Sequence, residues 1–594
     1  MILRALYDYY QRCEDLAPIG TEYKEIAFVI VINKEGDFIR IEDTRTEEGR
    51  GSSFLVSASW GRTGITPQPF NFWDNCSYVL GISAESFVDL EADKVTEKKK
   101  KDVAKALDKN SKVFNAYVEY VNNVFEKHPD DSDVKAVYFF YQKNKNNICE
   151  IIQQDALWSE LKRNLTKNIS FRIEYDTRIV AAKPSIISYS LNSGNDKDGN
   201  DICLVTGEHC IPINTFSKIP VGKFSDTKLV SFQKSSGYDS YGKEQGRNAP
   251  ISSDAEFKIA TALKKLNGFQ SHNRYQLGSR TFLFWASSTT EVSQKAEEYL
   301  FDFLGISDKK EDDANARIDE VREVFDAIYK GKLNANKEDR FYILGIYPAN
   351  KARIAVCYWA DISLIKFAEK ILKHFDYMDL GKTKRPYSGL KDMLRSVSLK
   401  GDMNNCPSNL PDAVVKSIFQ GLPYPQTLFA SAIRRIRAEQ DVMFYGSPCR
   451  IAIIKAYLNR LNDNNNKKIQ PMLDKENQNQ GYLCGRLFAM LERIQELSNK
   501  DNGYKSTIAS RYMDSASSNP SIVFPTLLKL SVHHLEKIQN TKWLKDLVGE
   551  IMDKINIVGF APQLDLNDQG RFFIGYYHQR QKFNFGKKEE STEE

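Results

Sequence analysis

Apolar and polar residues in the first third of the chain follow a strand-like rhythm broken by turn formers. IAFVIVI (Ile26–Ile32), the turn NKEGD and FIRIED read as a hairpin, with Gly36 in the turn. Ahead of it, MILRALYDYYQR has the spacing of an amphipathic helix and lacks the apolar core and cleavage site of a signal peptide. GRTGITPQPFNFWDN (Gly61–Asn75) mixes turn formers with Phe70, Phe72 and Trp73, and loops hold such aromatics when these pack or bind something. The charged run EADKVTEKKKKDVAKALDKNSK follows, reading as a solvated helix face, and NSGNDKDGND (Asn192–Asp201) reads as a turn-rich connection.

ICLVTG, KLVSF and TFLFWA then suggest short strands, and DAEFKIATALKKL a helix. The chain turns acidic around Asp308–Asp319. RFYILGIYP, ANKA and RIAVCYW (Arg340–Trp359) give a second hairpin. Beyond Asp361 the period becomes helical. LFASAIRRIRAEQ and RIAIIKAYLNRL set apolar residues at helical spacing with arginines on the remaining face. After the polar NDNNNKKIQP, YLCGRLFAMLERIQEL places Leu483, Leu487, Met490, Leu491, Ile494 and Leu497 on one stripe. Pro525 can open a further helix, and Trp543 and Leu547 lie on another. The expected fold class is α+β and multidomain. Its regions are an N-terminal α+β region (1–195), a β-rich region with a basic loop (196–360), a basic helical region (361–470) and a C-terminal helical bundle (471–594).

Composition narrows the function. With 594 residues, 41% hydrophobic, the chain has material for several cores. Its apolar runs are far shorter than the roughly 20 residues a membrane helix needs, so no membrane association is expected. Nine scattered cysteines without a CxxC suit a reducing cytoplasm. Cys203 and Cys210, with His209, fall short of a zinc ligand set and read as ordinary thiols flanking a turn. The net charge of +5 is unevenly spread. Ser217–Ala286 carries eleven Lys/Arg against five Asp/Glu, and Gly381–Arg460 thirteen against five, so the remainder is acidic. Two basic blocks on an acidic background point to localised contact with a polyanion.

Catalytic patterns are missing. GKT at Gly381–Thr383 has Asp376 where a phosphate-binding loop needs glycine, and HExxH, GxSxG and a metal-nuclease His-Asp doublet are absent. His533 and His534 are neighbours on an apolar helix and face different ways; His578 suits packing or a hydrogen bond. No catalytic residue, metal or cofactor is therefore expected. YGKEQGRNAP (Tyr241–Pro250) carries the binding chemistry instead. Lys243 and Arg247 supply charge, Gly242 and Gly246 permit close backbone approach, and Gln245 and Asn248 add neutral hydrogen bonders. Such a turn suits phosphate oxygens, and its amides can reach base edges.

In order along nearly the whole chain, MILRALYDYYQR, RTGI…FNFWDN, ICLVTGE, SYGKEQGRNAPIS, RFYILGIYP, IRRIRAEQ, IIKAYLNR, LDKENQNQGYLCGRLFAMLE and FFIGYYHQRQ resemble the large signature subunit of the type I-C Cascade, an RNA-guided DNA surveillance complex of CRISPR immunity. TPQPFNFWDN is longer or looser before WDN than the family pattern, so a motif read there need not match the family's commonest one. The resemblance implies a cytoplasmic, non-catalytic subunit. It would recognise the protospacer-adjacent motif in duplex DNA, help unwind the target and steady the displaced strand. Implied partners are the CRISPR RNA, Cascade backbone and crRNA-end subunits, the helicase-nuclease, and a small subunit translated from an internal start in the same message. Met472 is the candidate for that start. Motif reading is assigned to Arg62, Thr63, Gly64, Asn71 and Asn75, with Phe72 as a wedge between base pairs or, alternatively, core. Backbone grip is assigned to Lys243, Gln245, Arg247 and Asn248. The displaced strand is assigned to Arg434, Arg435, Arg437, Arg450 and Lys455.

Overall fold

The computed structural model describes the chain except residues 59–66, 90–95, 192–198, 240, 269–270, 304–315, 334–337, 382–387, 462–467, 500–506 and 590–594. It is α+β and divides into two compact units, one of residues 6–219 and 228–263, the other of residues 1–5, 220–227 and 264–594. This grouping differs from the four expected regions. Residues 201–219 and 228–263 join the N-terminal unit, and the second hairpin shares a unit with every later helix.

In the N-terminal unit a four-stranded sheet runs in the order Phe38–Asp43, Phe28–Ile32, Asn168–Ile173, Trp73–Asn75. The expected hairpin forms its antiparallel pair, and Phe28–Ile32 also runs parallel to Asn168–Ile173. All five residues of FVIVI are buried, which explains a continuous apolar run in place of alternation. Helices Glu97–Lys127 and Ser132–Asn144 contribute to the same core, where Tyr141 meets Phe171 edge-on at 5.9 Å and donates a 2.7 Å hydrogen bond to the Val79 carbonyl. Gly36 is obligatory: its φ is +83°, and a Cβ there would lie 2.4 Å from the Phe140 amide nitrogen.

In the other unit the strands Arg274–Leu277, Arg280–Ala286, Arg340–Pro348 and Ile354–Ser363 form an antiparallel meander. Phe341 stacks on Phe367 of the following helix, Leu364–Met378, with centroids 4.3 Å apart. From there one hydrophobic core continues through the helices to Leu566–Glu589. It crosses the expected boundary at residue 470, since Gly570 sits against Phe429 and Ile454. Helix Gln480–Ser498 is buried on nearly all sides rather than along one stripe. Its Gly485 lies where a Cβ would be 1.9 Å from the Phe572 carbonyl oxygen, so two helix backbones touch.

Two local expectations change. KLVSF is not a strand; Ile219–Val221 pairs with Phe224–Thr227 instead. Helix Pro520–Leu535 begins at Pro520, a favoured first position, and Pro525 lies inside it at the cost of one intrahelical hydrogen bond.

Candidate nucleic-acid interface

The basic loop is built on backbone contacts that leave its charges outward. Gly242 adopts φ +69° and its amide donates to the Asp239 carbonyl at 3.0 Å, turning the chain. Residues Gln245–Asn248 then form a single 3-10 turn. The Gly246 amide donates to the Asn214 carbonyl at 3.1 Å, and a Cβ on Gly246 would lie 1.7 Å from the Ile213 carbonyl oxygen. Close approach of two backbones therefore requires this glycine, for packing rather than for a ligand. Beyond the turn, Leu204 donates to the Pro250 carbonyl at 2.9 Å and Ile213 to Ile251 at 3.0 Å, tying the loop's end down.

On that frame Lys243 and Arg247 are exposed. The Arg247 side chain keeps 62% of its surface, with Asp201 at 3.9 Å, a separation at which a surface pair adds little. Asn248 serves the loop itself, its Nδ2 donating to the carbonyls of Lys243 at 3.3 Å and Gln245 at 3.1 Å. Gln245 is half-buried with φ +43°. Of the four residues assigned to backbone grip, two present charge and two shape the turn. Tyr241 belongs to the same loop and carries no assignment from the sequence. It is 93% exposed beside Gly242 and Lys243. An aromatic followed directly by a glycine and a lysine is the sequence signal for it.

The residues assigned to motif reading fare differently. Arg62, Thr63 and Gly64 lie outside the described residues. Phe72 is fully buried at φ +58°, edge-on to Tyr120 at 6.1 Å, and its carbonyl accepts from Ser170 Oγ at 2.8 Å. Of the two roles weighed for it the core one holds, because a wedge must reach solvent. Asn71 is buried as well, donating to Ser57 Oγ at 2.9 Å and to the Ile186 carbonyl at 2.7 Å and accepting from the Tyr120 hydroxyl. Asn75 caps helix Cys76–Val79, its Oδ1 accepting from the amides of Ser77 at 3.0 Å and Tyr78 at 3.4 Å. These three side chains hold the strand-to-helix corner together.

The second basic block also divides. On helix Gln426–Glu439, Arg434 is exposed. Arg435 keeps 17% of its side-chain surface with Glu439 at 3.8 Å, and Arg437 pairs with Asp514. Arg450 and Lys455 are corrected outright, being 0% and 1% exposed. Arg450 donates to the carbonyls of Ser396 (2.9 Å), Asp441 (3.2 Å) and Met443 (3.3 Å) and to Glu439 (2.5 Å). Lys455 donates to the Asp376 and Tyr377 carbonyls at 3.2 and 3.1 Å, at the C-terminal end of helix Leu364–Met378, and burial pulls its pKa down to about 8. Neither cation can meet a strand of nucleic acid. Helix Cys449–Leu461 is buried from Cys449 through Asn459, so the face that carries Arg450 and Lys455 is interior.

Among the described residues, no three His, Cys, Asp or Glu side chains group as metal ligands, and no helix is long and apolar enough to cross a membrane. Cys203 and Cys210 flank the turn of a small hairpin, Asp201–Ile202 with His209–Cys210. Burial raises the Cys203 thiol, but hydrogen bonds from Thr206, Ser252 and Val205 outweigh it and bring the pKa to about 7. Gly381 lies against Met472, which is 55% exposed in the segment leading to helix Gln480–Ser498; Lys382 and Thr383 lie outside the described residues.

Compared with known proteins, residues 6–584 match the family model of the CRISPR-associated protein Cas_Csd1. No curated protein matches the chain.

Proposed function

Because the chain belongs to the CRISPR-associated Cas_Csd1 family, we propose that it is the large subunit of a type I-C Cascade. In that role it reads the protospacer-adjacent motif in duplex DNA without catalysis, helps open the target and steadies the displaced strand. The observation that carries this reading is the Tyr241–Pro250 loop: a backbone pinned at Gly246 and Pro250 presents Lys243, Arg247 and the ring of Tyr241 to solvent. Two cations anchor phosphates and fix register, and the ring stacks on a base, leaving sequence reading to a few neighbouring contacts. Arg62, Thr63 and Gly64 remain the proposed readers.

Partners follow from the same role: the CRISPR RNA, the backbone and crRNA-end subunits, the helicase-nuclease, and a small subunit beginning at Met472. The test is a binding selection on duplexes with a randomised flanking triplet, using the complex reconstituted with and without this chain. Enrichment of one motif only when the chain is present supports the reading. Equal recovery of all triplets, or metal-dependent cleavage by the chain itself, refutes it.

A further inference from the structure

Helix Glu97–Lys127 carries seven lysines against three acids between Glu97 and Lys112. Its buried side, Val103, Asn110, Val113 and Tyr117, belongs to the N-terminal unit. Lys98, Lys101, Lys105 and Lys109 succeed one another by three, four and four residues, a spacing that aligns them along one face. All four are exposed, whereas Lys100 pairs with Glu97 at 3.2 Å and Lys112 with Asp108 at 2.6 Å. At 1.5 Å per residue the row is about 16 Å long and straight.

Helix stability does not account for this row. Positive side chains in a first turn oppose the helix dipole, and lysines one turn apart repel each other. Thr96 caps the helix by accepting from the Lys99 amide at 3.3 Å, so the end is well formed in spite of the charge. A polyanion relieves both costs. No aromatic residue occurs between Glu97 and Lys112, so this stretch of helix offers no ring of its own for unpaired bases to stack on, as single-strand binders require. A straight row of point charges without stacking platforms or amide readers suits phosphates at fixed spacing along a rod.

We propose that this lysine row binds the phosphate backbone of duplex DNA without regard to sequence. Its span equals the axial rise of about five base pairs, at 3.4 Å per phosphate along each strand. Such a contact holds DNA before any motif is found, and it is separate from the Tyr241–Pro250 loop and from whichever residues read the motif.

The test uses the full-length chain and a 30-base-pair duplex of arbitrary sequence, with affinity measured from 50 to 200 mM salt. The variant Lys98→Gln/Lys101→Gln/Lys105→Gln/Lys109→Gln is compared with a charge-matched control, Lys529→Gln/Lys537→Gln/Lys542→Gln/Lys545→Gln, in exposed positions of the other unit. Circular dichroism confirms that each variant is folded. Each lost phosphate contact removes about 0.9 from the slope of log K against log salt, so the four-lysine variant loses about 3.6 units of slope and binds at least tenfold more weakly at 100 mM salt. The control stays within twofold of wild type. Equal slopes and affinities for both variants overturn the proposal, as does a loss confined to a single-stranded probe. In the assembled complex, preference for the flanking motif is unchanged by the row variant, so the motif-reading role and the row stand or fall separately.

Discussion

Replacing Arg450 with methionine tests whether a basic residue in an arginine-rich block serves the fold or a ligand. Its guanidinium supplies three hydrogen bonds to the carbonyls of Ser396, Asp441 and Met443, and it is 0% exposed. Methionine fills much of the volume but donates nothing, so those carbonyls lose their donor. At about 1 kcal/mol for each buried acceptor left unsatisfied, the loss is about 3 kcal/mol. Glu439 loses its 2.5 Å partner too, but at 40% side-chain exposure it rehydrates and adds little. For a unit of this size, ~2 °C per kcal/mol puts the fall in Tm near ~6 °C by differential scanning fluorimetry. Arg434→Gln, on the neighbouring helix and exposed, changes Tm by less than about 1 °C. Under the proposed function its expected effect is weaker nucleic-acid binding instead. An Arg450→Met protein with wild-type Tm and weakened DNA binding would refute the assignment of this arginine to the interior.

Three further outcomes follow from the packing, the buried imidazoles and the candidate start. Gly485→Ala forces a Cβ to within 1.9 Å of the Phe572 carbonyl oxygen and costs ~3 kcal/mol or more. Gly549→Ala, with nothing within 4 Å, stabilises its helix by up to about 1 kcal/mol; equal effects in chemical denaturation would contradict the close helix contact. His374 and His578 are buried and neutral, held down to about 3 mainly by burial, with Arg460 and Lys455 adding to it respectively. The unfolded chain binds protons at both below about pH 6.5 and the folded chain does not, so stability is level above that pH and falls below it. The limiting slope is about 1.4 kcal/mol per pH unit for each histidine, and a urea midpoint identical at pH 7 and 5.5 would count against it. Met472→Leu eliminates a short C-terminal product while the full chain persists; a surviving band on an immunoblot would exclude that start.

Both hairpins were legible because their strands are bounded by turn formers and rich in β-branched and aromatic residues. The buried helices were not. RIAIIKAYLNRL has the composition of an amphipathic surface helix, yet its arginine and lysine find carbonyls inside the unit, a tertiary partnership that spacing along one helix cannot reveal. Asn71 misled for a related reason, and of the two roles open to Phe72 the interior one held. Turn-rich sequence around them suggested a loop, but Phe72 at positive φ turns the chain directly into a strand of the buried sheet. In the Tyr241–Pro250 loop the glycines and cations were visible in sequence. Only the structure separates Asn248, which bonds its own turn, from Lys243 and Arg247, which face solvent.

The most direct test of the central claim compares wild type with Lys243→Ala/Arg247→Ala in the complex reconstituted with its guide RNA. Binding is measured across salt concentrations on target duplexes that differ in flanking sequence. Two phosphate anchors predict weaker binding to all flanking sequences alike and a salt slope shallower by about two units. Unchanged affinity and slope would return the loop to a purely structural role and contradict the account.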